Sequence, residues 1–309
     1  MSANTLEISV CICTYKRPEL LGLLLESLAK QTYPLEKFEV IVVDNDIKKS
    51  AMHVVSQASQ RYPALAIRYA TEPTQGISNA RNKTVELATG KLLAFIDDDE
   101  WAVKNWLEDM NNCLYKYKCD GVLGPVTPEY PKMSKAWVIN CGFFQRQRFI
   151  TGESISANDC YTSNLLIASS KINSRYPYPF DIKFSLSGGE DTDYFKWLKE
   201  RGGNIIWCNT AEVHETVPLS RQTLSYILKR CFRTSTVYWQ ITYAKYPKSW
   251  IILNTILGII GGTILITLAI LILPFSIVTA LFFLTKGIKG FGRAAASTSL
   301  PINSYGDIK

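Results

Sequence analysis

Three short runs constrain this chain more than anything else in it: "EISVCICTYKR", "FEVIVVDND" and "KLLAFIDDDEW". Each is apolar and rich in β-branched residues, then turns polar at a single point. Apolar runs this short and without alternation belong to strands covered on both faces. The segments between them have helical patterning. Pro18 to Gln31 carries leucines at helical spacing and opens with a proline suited to a first turn. Residues 50–62 form a second helical pattern. "GISNARNKTVELATG" forms a third, closed by Gly90, and "EWAVKNWLEDMNNCLYKY" a fourth, with Trp101 and Trp106. "LAIRYA" and "GVLGPVTP" add strands. The alternation predicts an α/β fold with a mostly parallel sheet and helices on both faces.

Sheets of that kind bind ligands beyond the carboxyl ends of their strands. Three of those ends are polar here: Thr14-Tyr15-Lys16-Arg17, Asp44-Asn45-Asp46 and Asp97-Asp98-Asp99. They are expected to meet on one edge. If the third strand persists through its acids, Asp97 and Asp99 share a side and Asp98 points away. Adjacent carboxylates repel one another, and the repulsion raises their pKa values unless a cation intervenes. Oxygen donors at a strand end suit Mg²⁺ or Mn²⁺ that phosphates also hold. A solvated acidic helix start is the alternative.

No G-x-G-x-x-G and no G-x-x-x-x-G-K-[ST] is present, which argues against a dinucleotide enzyme and a P-loop NTPase. Phosphates would then be held by cations such as Arg17, Arg81, Arg221, Arg230 and Arg233. Nine residues are about two and a half helical turns, so a continuous helix would set Arg221 opposite Arg230, with Arg233 on Arg230's face. The last two suit a diphosphate or anionic lipid equally well. The net charge of +7 is dispersed, with no basic block of the kind that binds nucleic acid. Eight cysteines without a Cys-x-x-Cys pair, and no charged-then-apolar leader, predict reduced thiols in the cytosol. From Ile251 to Leu284 about 34 residues carry no charge, roughly 50 Å as one helix. That overshoots a hydrocarbon core of about 30 Å. Basic residues flank both ends (Lys245 and Lys248; Lys286, Lys289 and Arg293), so a hairpin or re-entrant element bent near Gly261-Gly262 or Pro274 is expected, with both ends inside.

These residues resemble the inverting family 2 glycosyltransferases of GT-A fold, across roughly residues 6 to 240. "VCICTYKRPELLGLLLESLAKQT" resembles their opening strand and helix, which brings Thr14 and Arg17 to the donor. "EVIVVDND" resembles the uracil-binding strand, so the resemblance implies that Asp44 accepts from the pyrimidine N–H. "GISNARNKTVELATGKLLAFIDDDE" is the most specific match. It implies Arg81 near the nucleotide, Asp97 near the ribose, Asp98 in the donor set and Asp99 on a metal, Mn²⁺ or Mg²⁺. "GGEDTDYFKWLKERGG" implies Asp191 as catalytic base with Glu190 beside it; an ordinary helix cap is the bland reading of Asp191. "VHETVP" implies His214 as a second metal ligand. With the following basic helix, these motifs are similar to bacterial succinoglycan-type glucosyltransferases of exopolysaccharide assembly.

The expected organisation is a catalytic domain over 1–240, with nucleotide-sugar binding to about 125 and the acceptor side and base over about 126–240. A linker (241–249), a membrane hairpin or re-entrant helix (250–285) and a basic tail (286–309) follow. The region 130–190 is irregular, with Trp137, Phe143, Phe144, Arg146 and Arg148 as acceptor-side candidates. The expected activity moves one sugar from a UDP-sugar to a lipid-linked glycan at the cytoplasmic face of the cell membrane. The Q-x-x-R-W sequence of processive members is missing, which favours single transfer. Direct transfer to polyprenyl phosphate, a non-catalytic membrane scaffold and a metal-dependent phosphohydrolase are the alternatives.

Overall fold

A computed structural model describes residues 6–175 and 177–298. Its first half runs β1 (Ile8–Thr14), α1 (Pro18–Leu28), β2 (Phe38–Asp44), α2 (Met52–Arg61), β3 (Ala66–Thr71), α3 (Ile77–Leu87), β4 (Leu92–Phe95), β5 (Glu100–Ala102), α4 (Trp106–Tyr117), β6 (Gly121–Leu123) and β7 (Val126–Glu129). Then come α5 (Ala136–Asn140), β8 (Leu165–Ala168), α6 (Ser169–Asn173), α7 (Glu190–Glu200), β9 (Ile205–Trp207), β10 (Val213–Thr216), α8 (Leu224–Tyr243), α9 (Lys248–Ile272) and α10 (Ile277–Ala295). The part of the expected basic tail beyond residue 298 lies outside the described residues.

The main sheet has seven strands in the order β3-β2-β1-β4-β8-β6-β9. β8 is antiparallel to both neighbours and the remaining pairings are parallel. Alternate residues of the central strands pack on opposite faces of the sheet, as the unbroken apolar runs require. Ile8, Val10 and Ile12 pack with Leu21, Leu24, Trp106 and Met110 on one face. Cys11, Phe95, Ile167, Phe195 and Trp207 pack on the other. The predicted α/β architecture is therefore present.

Three local expectations change. The acidic run after β4 does not open a helix: Glu100–Ala102 is a strand pairing antiparallel with β10, and α4 begins only at Trp106. Cross-strand pairing, with Trp101 stacked on His214 at 5.5 Å, outweighs the helical pattern there. The irregular region also conceals a strand near the middle of the sheet, β8, whose "LLIA" is too short to assign by periodicity. Gly90 does not cap α3, which ends at Leu87. Its missing side chain instead lets the chain approach β1: a Cβ there would sit 2.6 Å from the Ser9 nitrogen.

The chain divides into two compact units. One comprises the chain through Pro128, Arg146–Ser185 and Glu190–Glu215; the other comprises Glu129–Gln145, Leu186–Gly189 and the chain from Thr216. Within the second, α9 and α10 form an antiparallel hairpin broken at Leu273–Ser276, around Pro274 rather than at Gly261-Gly262. Glycines form its seam. A Cβ on Gly258 would lie 2.7 Å from the Gly290 carbonyl, and one on Gly262 would lie 2.9 Å from that of Gly287. Small residues at four-residue spacing let helix backbones approach this closely. Among the described residues, α9 alone is long and apolar enough to cross a membrane by length and composition.

Candidate functional site

Parallel register brings the polar strand ends together. Thr14 pairs with Asp44 and Cys11 with Phe95. Three residues beyond those last two, Thr14 and Asp98 are level, and the Thr14 hydroxyl donates to Asp98 at 2.8 Å. β4 ends before the acids, and Asp97 to Glu100 form a turn closed by Glu100 N–H to the Asp97 carbonyl (3.2 Å). The strand alternation expected for these acids therefore does not apply. Asp98 and Asp99 sit together on the Arg17 guanidinium at 3.0 and 3.1 Å, while Asp97 lies 3.9 Å from Arg81. The turn points Asp97 at a different cation from the one that Asp98 and Asp99 share.

α3 enters from Gly76, whose φ of 138° suits glycine, and turns Arg81 inward. Arg81 is buried and forms an ion pair with Glu190, the first residue of α7. The Asp191 carboxylate accepts from the Thr192 N–H at 2.6 Å. Gly188 and Gly189, at φ 75° and 96°, make the turn before this acidic helix start, where the helix dipole favours negative charge. Arg81 thus links two motifs about a hundred residues apart, "DDDE" and "GGED".

The cluster is short of positive charge. Burial and then Asp99 push the Asp98 carboxyl up to about 7, against the pull of Arg17. Burial raises Asp97, with Arg81 opposing and Asp99 adding, although 45% of its side chain is accessible. Burial and then Asp97 raise Glu100 well above the usual carboxyl range. Burial carries Glu190 to about 7 while Arg81 draws it back. One oxygen each of Glu100 and Glu190 is buried without a hydrogen-bond partner.

Other expected residues are placed differently. Asp44 is fully buried, and its carboxylate accepts from Asp46 N–H (2.9 Å), Ala51 N–H (2.8 Å) and Tyr69 O–H (3.0 Å). In this conformation it organises the loop after β2 and has no exposed surface for a base. His214 faces Trp101 on the ladder, one pair along from Glu215 and Glu100. In the second unit, Arg230 lies near the Tyr226 hydroxyl at 3.5 Å, and Arg233 shares its helix. Arg221 falls in a separate 3₁₀ turn, Leu219–Arg221, so no continuous helix relates its direction to that of Arg230.

Residues 9–168 match the model of glycosyl transferase family 2. Over 249 residues the chain is 34% identical to the succinoglycan biosynthesis protein ExoM of Rhizobium meliloti strain 1021, spanning 79% of this chain and 78% of that protein. The chain belongs to glycosyl transferase family 2. Two solved structures share its fold. Staphylococcus aureus TarS in complex with UDP-GlcNAc superposes with a TM-score of 0.56 at 15% identity, over 95% of this chain and 92% of that one. The Pyrobaculum calidifontis mannosyltransferase PcManGT, in complex with GDP-Man and Mn²⁺, gives 0.56 at 18% identity, over 96% and 78%. The fold is GT-A, and the protein is a glycosyltransferase.

The donor set of this glycosyltransferase fits a divalent cation in one respect and limits it in another. Carboxylates whose protons are held too tightly mark a place where added positive charge is favourable. Among the described residues, however, no three His, Cys, Asp or Glu side chains converge to hold a metal. Most of such an ion's ligands would have to come from phosphate and water, a habit of Mg²⁺.

Sequence reasoning passed over Arg146 as a member of this cluster. It lies 3.6 Å from Glu215, donates to Ser163 at 2.7 Å and stacks over Tyr161 at 4.3 Å. Only the glutamate in "VHETVP" hinted at a cation here. The acceptor-side aromatics divide. Phe143 and Phe144 stack edge to face at 5.1 Å in the second unit, whereas Arg148 pairs with Glu212 in the first.

Proposed function

We propose that this glycosyltransferase moves a single sugar, with inversion, from a UDP-sugar to a lipid-linked glycan at the cytoplasmic face of the cell membrane. The observation that carries this reading is the joining of the acid turn, Arg17, Arg81 and the acidic start of α7 into one charge cluster at the carboxyl edge of the sheet. The catalytic part is residues 1–240, and residues 250–285 meet the membrane. The similarity to a succinoglycan biosynthesis protein supports an acceptor in exopolysaccharide assembly.

Asp191 removes the proton of the acceptor hydroxyl as its oxygen attacks the anomeric carbon from the face opposite the diphosphate. The new glycosidic bond forms, the bond from carbon to diphosphate oxygen breaks, and UDP departs. Glu190, held by Arg81, steadies the first turn of α7 and with it the base. Arg17 and Arg81 keep the acid turn shaped for the donor, with Thr14 and Asp98 fixing its inner wall and Asp97 open toward the ribose. Asp44 shapes the loop after β2 that would border the uracil ring. Asp99 and His214 would hold Mn²⁺ or Mg²⁺, which when bound would supply neutralising charge to the leaving diphosphate.

A donor screen tests the proposal. Purified protein, Mn²⁺ or Mg²⁺ and a panel of nucleotide sugars are incubated with and without membrane extract, and released UDP is measured. Release that depends on extract is the expected result. Release without any acceptor would instead indicate hydrolysis, and transfer to pure polyprenyl phosphate would shift the acceptor to the bare lipid.

A further inference from the structure

We infer that the α9–α10 hairpin lies obliquely in a single leaflet of the membrane and does not cross it. This rests on the membrane reading above. The two arms of the hairpin are unequal. From Ser249 to Ile272 the first arm carries no charge, a length of about 36 Å. The second arm is uncharged only from Ile277 to Thr285, about 13 Å. The glycine seam sets Gly262 against Gly287, so Lys286 stands level with the middle of α9.

An upright hairpin spanning the bilayer would hold Lys286 and Lys289 near its midplane, where charge is costly. A hairpin immersed only as deep as Lys286 would leave Ile252, Leu253, Ile256 and Leu257 in water, and these are exposed on α9. Tilting resolves the conflict. α9 lies beneath with its apolar face in the acyl chains. α10 lies above, with Lys286 and Lys289 at anionic headgroups.

The base and tip of the hairpin agree with this placement. Tyr246 stacks on Trp250 at 4.0 Å, Trp239 and Tyr243 adjoin Trp250, and Arg293 covers Trp239 at 4.4 Å. Aromatic rings clustered with a cation belong at the headgroup boundary. The tip holds no charge, Trp or Tyr that would mark a second boundary, and its polar side chains, Ser276 and Thr279, are spent on each other at the start of α10. Phe275 is 88% exposed, between Pro274 and Ser276, with exposed Leu271 and Leu273 just before it. The uncharged depth shared by both arms, from Thr263 to the tip, is about 15 Å, half of a hydrocarbon core.

The test uses the full chain in sealed membrane vesicles of both orientations, with a membrane-impermeant maleimide. Phe275→Cys, Leu271→Cys and Lys248→Cys are each compared with the wild-type chain to subtract its native thiols. The inference predicts Lys248→Cys labelled from one side only, and both tip variants labelled from neither side until detergent is added. Labelling of the tip from the side opposite Lys248→Cys would establish a crossing and overturn it. Labelling from the same side would place the tip in water and equally overturn it. A chain that fails to sediment with vesicles would remove the membrane reading itself, a separate outcome. Independently, Lys286→Gln with Lys289→Gln should weaken binding to vesicles containing phosphatidylglycerol by roughly tenfold to thirtyfold at low salt, with little change on neutral vesicles. Unchanged binding would contradict the headgroup placement.

Discussion

Replacing Arg81 by methionine probes the contact that joins the two acidic motifs. Arg81 and Glu190 keep only 7% and 6% of their side-chain surface, so the substitution strands a carboxylate with no solvent to turn to. Removing one partner of a buried pair costs about 3–5 kcal/mol. At about 2–4 °C per kcal/mol for a domain of this size, the melting temperature should fall by roughly 6–20 °C at about pH 8.5, where Glu190 is ionised in the native protein. The loss should also depend on pH, with a definite sign. In the native protein burial holds the Glu190 carboxyl at about 7, above its unfolded value, so its stabilising contribution is complete below the ordinary glutamate range and disappears as pH rises through about 7. Without Arg81, burial and Asp191 act unopposed and the carboxyl rises further. The variant should therefore lie nearest the native protein at about pH 5.5 and furthest from it at about pH 8.5. Adding Glu190→Gln should restore most of the loss at high pH, because a neutral amide avoids the stranded charge. Thermal unfolding of the detergent-solubilised chain, followed by tryptophan fluorescence, measures all three proteins. A loss equal at both pH values, or a double variant melting no higher than the single one, would refute the reasoning.

Asp191→Asn should reduce turnover by about a hundredfold to ten-thousandfold while donor affinity, measured by calorimetry, changes little; an equal loss of both would reassign the residue to binding. Asp99→Asn should remove the Mn²⁺-dependent part of UDP affinity and leave the metal-free part intact, and a titration with and without the ion decides it. Gly262→Leu, which forces a side chain against the Gly287 carbonyl, should cost about 1–3 kcal/mol or splay the hairpin. Limited proteolysis in detergent should then cut between α9 and α10, and an unchanged digest would mean that the seam is not tight.

What the sequence determined by itself is local and periodic. Continuous apolar runs require strands buried on both faces, and parallel strands must carry their polar ends to the same edge. Thr14, Asp44 and the run Asp97-Asp98-Asp99 were therefore legible as neighbours from the sequence alone. The uncharged stretch from Ile251 to Leu284 likewise announced an apolar surrounding. Tertiary structure decided what depends on partners far away in the chain. Whether "DDDEWA" continued as helix turned on β10, more than a hundred residues later, which pairs with it as a strand. Which acid faces which cation turned on Arg17, Arg81 and Arg146 arriving from three separate elements, and side-chain periodicity carries no information about that. The four residues of β8 have no periodicity long enough to read, so their place beside β4 comes from the sheet already built. The hairpin's glycines show the same division: their spacing is written in the sequence, but the offset that sets Lys286 halfway along α9 exists only when the two backbones touch.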